Sequence, residues 1–278
     1  MDGSDVWDRQ APQGIDTTVA HSARFWDYLL GGKDNYPIDR EVGDQVLAFD
    51  PHLRGNARAD RAFLVRVVSY LAGQAGIRQF LDIGTGLPTV NNTHEVAQAA
   101  APECRIVYVD NDPLVLVHAR ALLTSTERGA TDYVHADVRD PERVLREAAR
   151  TLDFTRPVGL ILFGVLNYVG DDDEAQAIVT RLLGVAAPGS YLAISHPTAE
   201  VNGEAVERSM QHWNESGAAP IRTRSRRQLI GYFDGLELLE PGVVSCSLWR
   251  PAHSDLGTPI EVHQFGGVGR KPGKPGRS

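Results

Sequence analysis

One stretch constrains the fold of this chain more than any other. Phe80-Leu81-Asp82-Ile83 is a short apolar run of strand type, and Gly84-Thr85-Gly86-Leu87-Pro88 follows it as a glycine-rich turn. A second apolar run, Arg105-Ile106-Val107-Tyr108-Val109, ends in Asp110. A strand, a glycine turn, a helix and a second strand ending in an acid describe a nucleotide-binding half of an open α/β sheet. Taken alone, Gly84 and Gly86 would only mark a tight strand-to-helix turn. Asp110 is what turns the pattern towards a ligand.

Asp82 bears on which ligand. A dinucleotide site must accept a pyrophosphate, attracted by backbone N–H groups and a helix N-terminus. A carboxylate two residues before the first glycine opposes that anion, and Thr89 stands where the third glycine of G-x-G-x-x-G would be. A ligand with a ribose, an ammonium and a sulfonium but no phosphate suits such a site better. S-adenosylmethionine is one, and Asp110 would then accept from its ribose hydroxyls.

Three segments carry a resemblance. Leu81 to Pro88, the run Val107-Tyr108-Val109-Asp110-Asn111-Asp112-Pro113, and His135-Ala136-Asp137-Val138-Arg139-Asp140 resemble the successive cofactor motifs of class I methyltransferases. More narrowly, the chain resembles an actinobacterial family of S-adenosylmethionine-dependent methyltransferases, long catalogued as a domain of unknown function. Tyr28-Leu29-Leu30-Gly31-Gly32-Lys33-Asp34-Asn35, Arg61-Ala62-Phe63-Leu64 and Gly266-Gly267-Val268-Gly269-Arg270-Lys271-Pro272 also match. The resemblance runs from about His21 to Pro272 and leaves the methyl acceptor open.

Composition agrees with an ordinary globular chain. Its 278 residues are 42% hydrophobic and 23% charged. No apolar run approaches the ~20 residues of a membrane span, and Met1-Asp2-Gly3-Ser4-Asp5 lacks the order of a signal peptide. Cys104 and Cys246 form no disulfide framework and no zinc spacing. The expectation is a cytoplasmic protein without metal. A net charge of −8 argues against nucleic-acid partners. The run Arg222-Thr223-Arg224-Ser225-Arg226-Arg227 reads as a solvated helix start.

The expected organisation is a flexible arm over 1–15, a helical cap or lid over 16–75, a Rossmann-like domain over 76–268 and a disordered basic tail over 269–278. Apolar spacing places cap helices from Asp16 to Gly31-Gly32, from Pro37 to about Ala48, and from about Arg58 to Leu71. Strands are expected at 79–83, 105–109, 132–135, 158–163, 190–195, 236–239 and 262–267. Helices are expected at 93–100, 113–123, 141–149, 174–183, 203–215 and 225–232, the first with Asn92 and Glu95 as a capping pair. The alternation gives an open α/β fold. The resemblance implies seven strands, mostly parallel, with helices on both faces and a closing reversed pair.

Ligands of open α/β sheets lie beyond the carboxyl ends of the strands. In the methyltransferase reading, Gly84, Thr85 and Gly86 bring backbone to the cofactor, and Asp82 orients that turn near the ammonium. Asp110 holds the ribose, Asn111 lies beside the adenine, and Asp137 with the Val138 backbone receives the adenine edge. The alternative for Asp137 is a turn residue at a strand end that caps the next helix. Phe163 belongs to the same rim. From the cap, Arg24 is the candidate cation for the cofactor carboxylate, with Tyr36 in the same polar cluster. For catalysis the candidates are His196, Asn167 and Tyr168. The resemblance implies a histidine before the aromatic at Tyr168; Asn167 stands there and cannot take a proton. The expected function is methyl transfer from S-adenosylmethionine to a small molecule by in-line displacement. The alternative, kept alive by Asn167, is a non-catalytic protein that senses S-adenosylmethionine.

Overall fold

The computed structural model describes residues 16–122, 124–251 and 259–273. The expected arm, 1–15, and the last part of the expected tail, 274–278, lie outside the described residues. The strands are β1 (Gln79–Ile83), β2 (Arg105–Asp110), β3 (Ala130–His135), β4 (Gly159–Phe163), β5 (Tyr191–Pro197), β6 (Glu237–Leu238), β7 (Val244–Ser245) and β8 (Gln264–Arg270). They form one sheet in the order β3-β2-β1-β4-β5-β8-β6, with β7 also paired to β8. The first five are parallel, and β8 runs antiparallel to β5, β6 and β7. The sheet has eight strands, not the expected seven. The addition is β7, whose two residues are too short to show any period. β8 also continues through Gly269 and Arg270, which pair with Leu192 and Tyr191, so the expected tail boundary falls inside a strand.

Period-two alternation divides the core between the two faces. Leu81, Ile83, Val107, Val109, Leu160 and Leu162 enter one cluster with Val144, Leu145, Ile178 and Leu182. The last four come from α6 (Pro141–Ala148) and α7 (Asp172–Val185). Phe80, Ile106, Tyr108, Ile161 and Ala193 enter the other with Phe63, Val67 and Leu71 of α3 (Leu53–Gly73) and Ala97 of α4 (Thr93–Ala100). Strands covered on both faces are buried along their length, as β1 and β4 are; β4 is apolar throughout, whereas β1 also buries Gln79 and Asp82. Phe63 stacks on Phe163 with centroids 4.9 Å apart. Truncating so buried a ring costs about 3–5 kcal/mol.

The first helices divide their allegiance. α1 (Ser22–Leu30) and α2 (Pro37–Phe49) pack with α8 (Gly203–Glu215) through Phe25, Leu29, Val42, Val46 and Trp213. α3 begins under them, at Ala57, and then belongs to the sheet. The remaining helices are α5 (Pro113–Leu122) and α9 (Arg226–Gly231). A contact of 2.9 Å between His21 Nδ1 and Asp112 Oδ2 ties the entrance of α1 to the end of β2. Among the described residues no helix is long and apolar enough to cross a membrane.

Candidate active site

The chain crosses over from β3-β2-β1 to β4-β5 at one point in the sheet, and a cleft of about 270 Å³ lies there at the carboxyl edge. Its floor is the turn after β1. Gly84 and Gly86 adopt φ of +77° and +66°, in the left-handed region that favours glycine. A Cβ on Gly84 would lie 2.5 Å from Val165 Cβ, whereas one on Gly86 would meet nothing within 4 Å. Thus one glycine lets the turn pack on β4's exit and the other leaves the cleft open.

Two carboxylates hold this turn. Asp82 Oδ2 accepts from Thr93 Oγ1 at 2.6 Å, fixing the end of β1 to the first residue of α4. Burial pushes the Asp82 carboxyl up to about 6, against the pull of Thr93 and Arg61. Asp110 Oδ2 accepts from Gly86 N at 2.8 Å, and its Oδ1 accepts from Asp112 N at 2.9 Å. Burial raises the Asp110 pKa, and those two N–H donors oppose the shift. The expected capping pair is present: Asn92 N donates to Glu95 Oε2 at 2.7 Å.

The adenine side is more crowded than expected. Asp137 Oδ1 receives Arg139 N and Nε, each at 2.9 Å. Its Oδ2 receives Arg139 Nη2 at 2.7 Å and Asn111 Nδ2 at 3.2 Å. Those Arg139 hydrogen bonds hold the Asp137 carboxyl down at about 2. The carboxylate's acceptor sites are filled by its own chain, so the turn-residue reading of Asp137 accounts for its contacts. The helix cap itself falls to Asp140, whose side chain accepts from Arg143 N. Val138, Asn111, Thr85 and Phe163 all line the cleft.

Arg24 and Tyr36 do not line it, which corrects their assignment to the cofactor. Arg24 is buried in the cap, where Nη1 donates to Asp16 O at 2.9 Å and Nη2 to Val19 O at 2.7 Å. Its Nε lies 3.4 Å from Asp39 Oδ1, and the guanidinium sits over the Tyr36 ring. The Tyr36 backbone N–H bonds Asp39 at the start of α2. Both side chains bind the cap together.

His196 is corrected in the same way. It is fully buried, and its Nδ1 meets Pro197 O at 2.8 Å while Nε2 meets Arg224 Nη1 at 2.9 Å. Burial, aided by the Arg224 charge, pushes its pKa down to about 3. A neutral ring with both nitrogens occupied, outside the cleft lining, is not placed to take a substrate proton. Arg224 is itself buried, with further bonds to Leu166 O, Val169 O and Asp172. The basic run at 222–227 is therefore anchored in the fold at Arg224 instead of being wholly solvated. Asn167 and Tyr168 do reach the cleft, on a single 3-10 turn after β4. Burial pushes the Tyr168 phenol up to about 12.

Several lining residues escaped the sequence reading: Asn56, Asp60 and Arg61 of α3, and His263 just before β8. His263 Nε2 lies 2.7 Å from Asp50 Oδ2, a contact whose angle falls short of a hydrogen bond. Buried polar atoms are normally paired. Here Asn56 Oδ1, Arg61 Nε, Asn167 Oδ1 and both His263 ring nitrogens are buried without a hydrogen-bond partner among the described residues. All four residues face one cleft, which is the arrangement expected where a ligand completes the bonding. Arg61 was within a matched segment, yet nothing local marked it as the cation beside Asp82.

The chain matches the model of a family described as S-adenosyl methyltransferase over residues 8–272. A solved DUF574 family protein from Streptomyces avermitilis is 46% identical, with a TM-score of 0.88, covering 92% of this chain and 99% of that one. A Thermobifida fusca protein, provisionally described as a methyltransferase, is 41% identical with a TM-score of 0.86, covering 96% of this chain and 99% of that one. An O-methyltransferase family protein from Burkholderia thailandensis shares the fold at 16% identity, with a TM-score of 0.51, 82% of this chain and 63% of that one covered. A comparison with curated proteins finds no match.

Proposed function

Because this chain belongs to the S-adenosyl methyltransferase family, we propose that it methylates a small-molecule acceptor held between the carboxyl edge of its sheet and the cap. The observation that carries this reading is the cleft itself, about 270 Å³ and walled by α1, α3 and α8 as well as by the sheet. A cleft covered in this way by helices suits a metabolite, not a polymer.

The residues present fit the family's cofactor. Gly86 with open space above it, the carboxylate at the end of β2 and Arg61 all line the cleft; Arg61 Nη2 donates to Asn91 O and Asn92 Oδ1, and its Nε has no partner among the described residues. Gly84 to Gly86 would take the methionine and ribose against backbone, and Asp110 would accept from the ribose hydroxyls. Arg61, in place of Arg24, would meet the carboxylate, while Asp82 holds the turn and faces the ammonium. Asn111 and Val138 would border the adenine. When bound, S-adenosylmethionine supplies a methyl group already activated by its sulfonium charge. The protein's own task is then to align the acceptor for in-line attack and to keep water out. The cap residues Trp26 and Leu30, with Trp213 of α8, supply the apolar cover.

The test is transfer of labelled methyl from S-adenosylmethionine into a fractionated cell extract by the full chain. Label in the low-molecular-weight fraction is the expected result. Label confined to protein or nucleic acid would refute the small-molecule reading.

A further inference from the structure

The cleft has two ends of different chemistry. Along β1, β2 and β3 it presents backbone, glycine and carboxylate. Beyond the crossover, above β4, β5 and β8, its walls are Trp26, Leu30, Leu53, Met210, Trp213 and Ile221. Phe25 supports this wall from behind, its ring 4.6 Å from that of Trp213. Apolar walls of this kind gain about 25 cal/mol for each Å² of apolar ligand surface they remove from water. The polar groups at this end include Asn56, Asn167 and His263, each with a buried atom that has no partner among the described residues. Asp27 and Asp60 also line the cleft, so an anionic acceptor would meet like charge.

We propose that the acceptor is a neutral, largely apolar, aromatic-sized molecule bearing a hydroxyl group, and that His263, beside the Asp50 carboxylate, takes the proton of that hydroxyl. This rests on the small-molecule methyltransferase reading above. His263 follows the crossover by way of β8: Gln264, its neighbour, pairs with Pro197 at the end of β5. Its Nε2 lies 2.7 Å from Asp50 Oδ2, and Nδ1 is buried without a partner among the described residues. A carboxylate this close stabilises, through its charge, the imidazolium formed when the ring accepts a proton. A neutral hydroxyl needs such a base at working pH, whereas a carboxylate acceptor would not. In the transfer the hydroxyl proton passes to His263 and the hydroxyl oxygen bonds to the methyl carbon. The carbon–sulfur bond breaks with its electron pair kept by sulfur, giving S-adenosylhomocysteine. A hydroxyl that becomes negative as it attacks is drawn to the sulfonium; an ammonium acceptor would bring a second positive charge beside it.

The test uses the full chain with S-adenosylhomocysteine, whose binding is measured first by calorimetry. 2-Naphthol is then titrated into that complex and followed by tryptophan quenching, since Trp26 and Trp213 line the chamber. Saturable binding is expected, at least tenfold tighter than that of 2-naphthoate. With S-adenosylmethionine the methyl ether should form, and His263→Gln should slow that transfer roughly 100-fold or more. The same variant should leave the Kd values of naphthol and S-adenosylhomocysteine within threefold, because glutamine keeps a neutral polar side chain of similar reach beside Asp50. Met210→Glu should abolish naphthol binding and spare S-adenosylhomocysteine. If S-adenosylhomocysteine binds and naphthol does not, or naphthoate binds as well, the acceptor class is overturned while the methyltransferase reading stands. Bound naphthol that is never methylated, or methylated equally fast by His263→Gln, overturns the role of His263. A folded chain that does not bind S-adenosylhomocysteine removes the methyltransferase reading itself.

Discussion

Replacing Asp110 by asparagine separates the two tasks assigned to this residue. The carboxylate accepts two backbone N–H groups, Gly86 on Oδ2 at 2.8 Å and Asp112 on Oδ1 at 2.9 Å. Asparagine offers one carbonyl oxygen and one NH2, so one of these buried donors must face another donor. An orphaned buried donor costs about 1–3 kcal/mol. Removing the charge also removes its desolvation cost, which is what raises the Asp110 pKa, so the net stability loss should lie at the low end. At about 1–2 kcal/mol this lowers Tm by roughly 2–8 °C for a chain of this size. The cofactor loses more. A hydroxyl bonded to a charged acceptor is worth about 1.5–3 kcal/mol, or roughly 10- to 150-fold in Kd, and the turn carrying Gly86 loses its tether as well. Thermal denaturation and calorimetric titration with S-adenosylhomocysteine read the two quantities independently. An Asp110→Asn protein that stays folded and binds S-adenosylhomocysteine within threefold of the parent would refute the placement of the ribose at this strand end.

Arg61→Met should weaken S-adenosylhomocysteine roughly 10- to 100-fold, the range of one charge-assisted contact. It should leave 5′-methylthioadenosine, which lacks the carboxylate, unchanged; equal losses would show that Arg61 only holds the fold. His196→Gln should destabilise the chain by about 1–3 kcal/mol, through the lost partner of Arg224, with S-adenosylhomocysteine affinity intact in calorimetry. In the parent, His196 has a folded pKa of about 3 against an unfolded value of 6.5. The unfolded chain therefore binds the extra proton between these values. The stability it confers is full above about pH 6.5 and drains away as pH falls towards 3, and His196→Gln should flatten that part of a stability–pH curve. Gly84→Ala puts a Cβ 2.5 Å from Val165 Cβ at a φ of +77°. It should cost about 2–5 kcal/mol of stability, summed from overpacking and left-handed strain, and Val165→Gly in the same chain, which removes the clashing Cβ, should restore the packing part in a denaturant titration.

The central sheet was legible because each of its strands satisfies one simple rule. β1 and β4 are apolar on both faces, so their limits show as runs. α4 and α8 match their expected spans because a capping box opens one and amphipathic spacing defines the other. The far edge was less legible. β7 has too few residues to carry a pattern. β8 is expected over 262–267, but its end at Gly269 and Arg270 reads as tail, because glycines carry no strand pattern; they are there because the strand passes directly beneath α3, where a Cβ on Gly266 would lie 2.3 Å from Phe63. Arg24 and His196 misled for a related reason. Each is a polar residue near the right elements, and only the three-dimensional packing reveals that Asp16, Val19 and Asp39 occupy the first and that Pro197 and Arg224 occupy the second.

The acceptor side of the cleft hid behind two habits of reading. Looking at the carboxyl ends of parallel strands finds Gly84, Asp110 and Asn167, but β8 runs the other way and its first residues reach that same edge. His263 enters by its strand's beginning, where the rule does not look. The second habit is to take an apolar helical stripe as core and pass over its polar members. In α3, Asn56 and Asp60 sit on the stripe that continues as Phe63, Leu64, Val67 and Leu71, and all six are buried. A polar group on a buried stripe costs free energy unless something bonds to it. Asn56 Oδ1 finds no partner among the described residues, so the sequence had already marked a position where a bound ligand would complete the bonding.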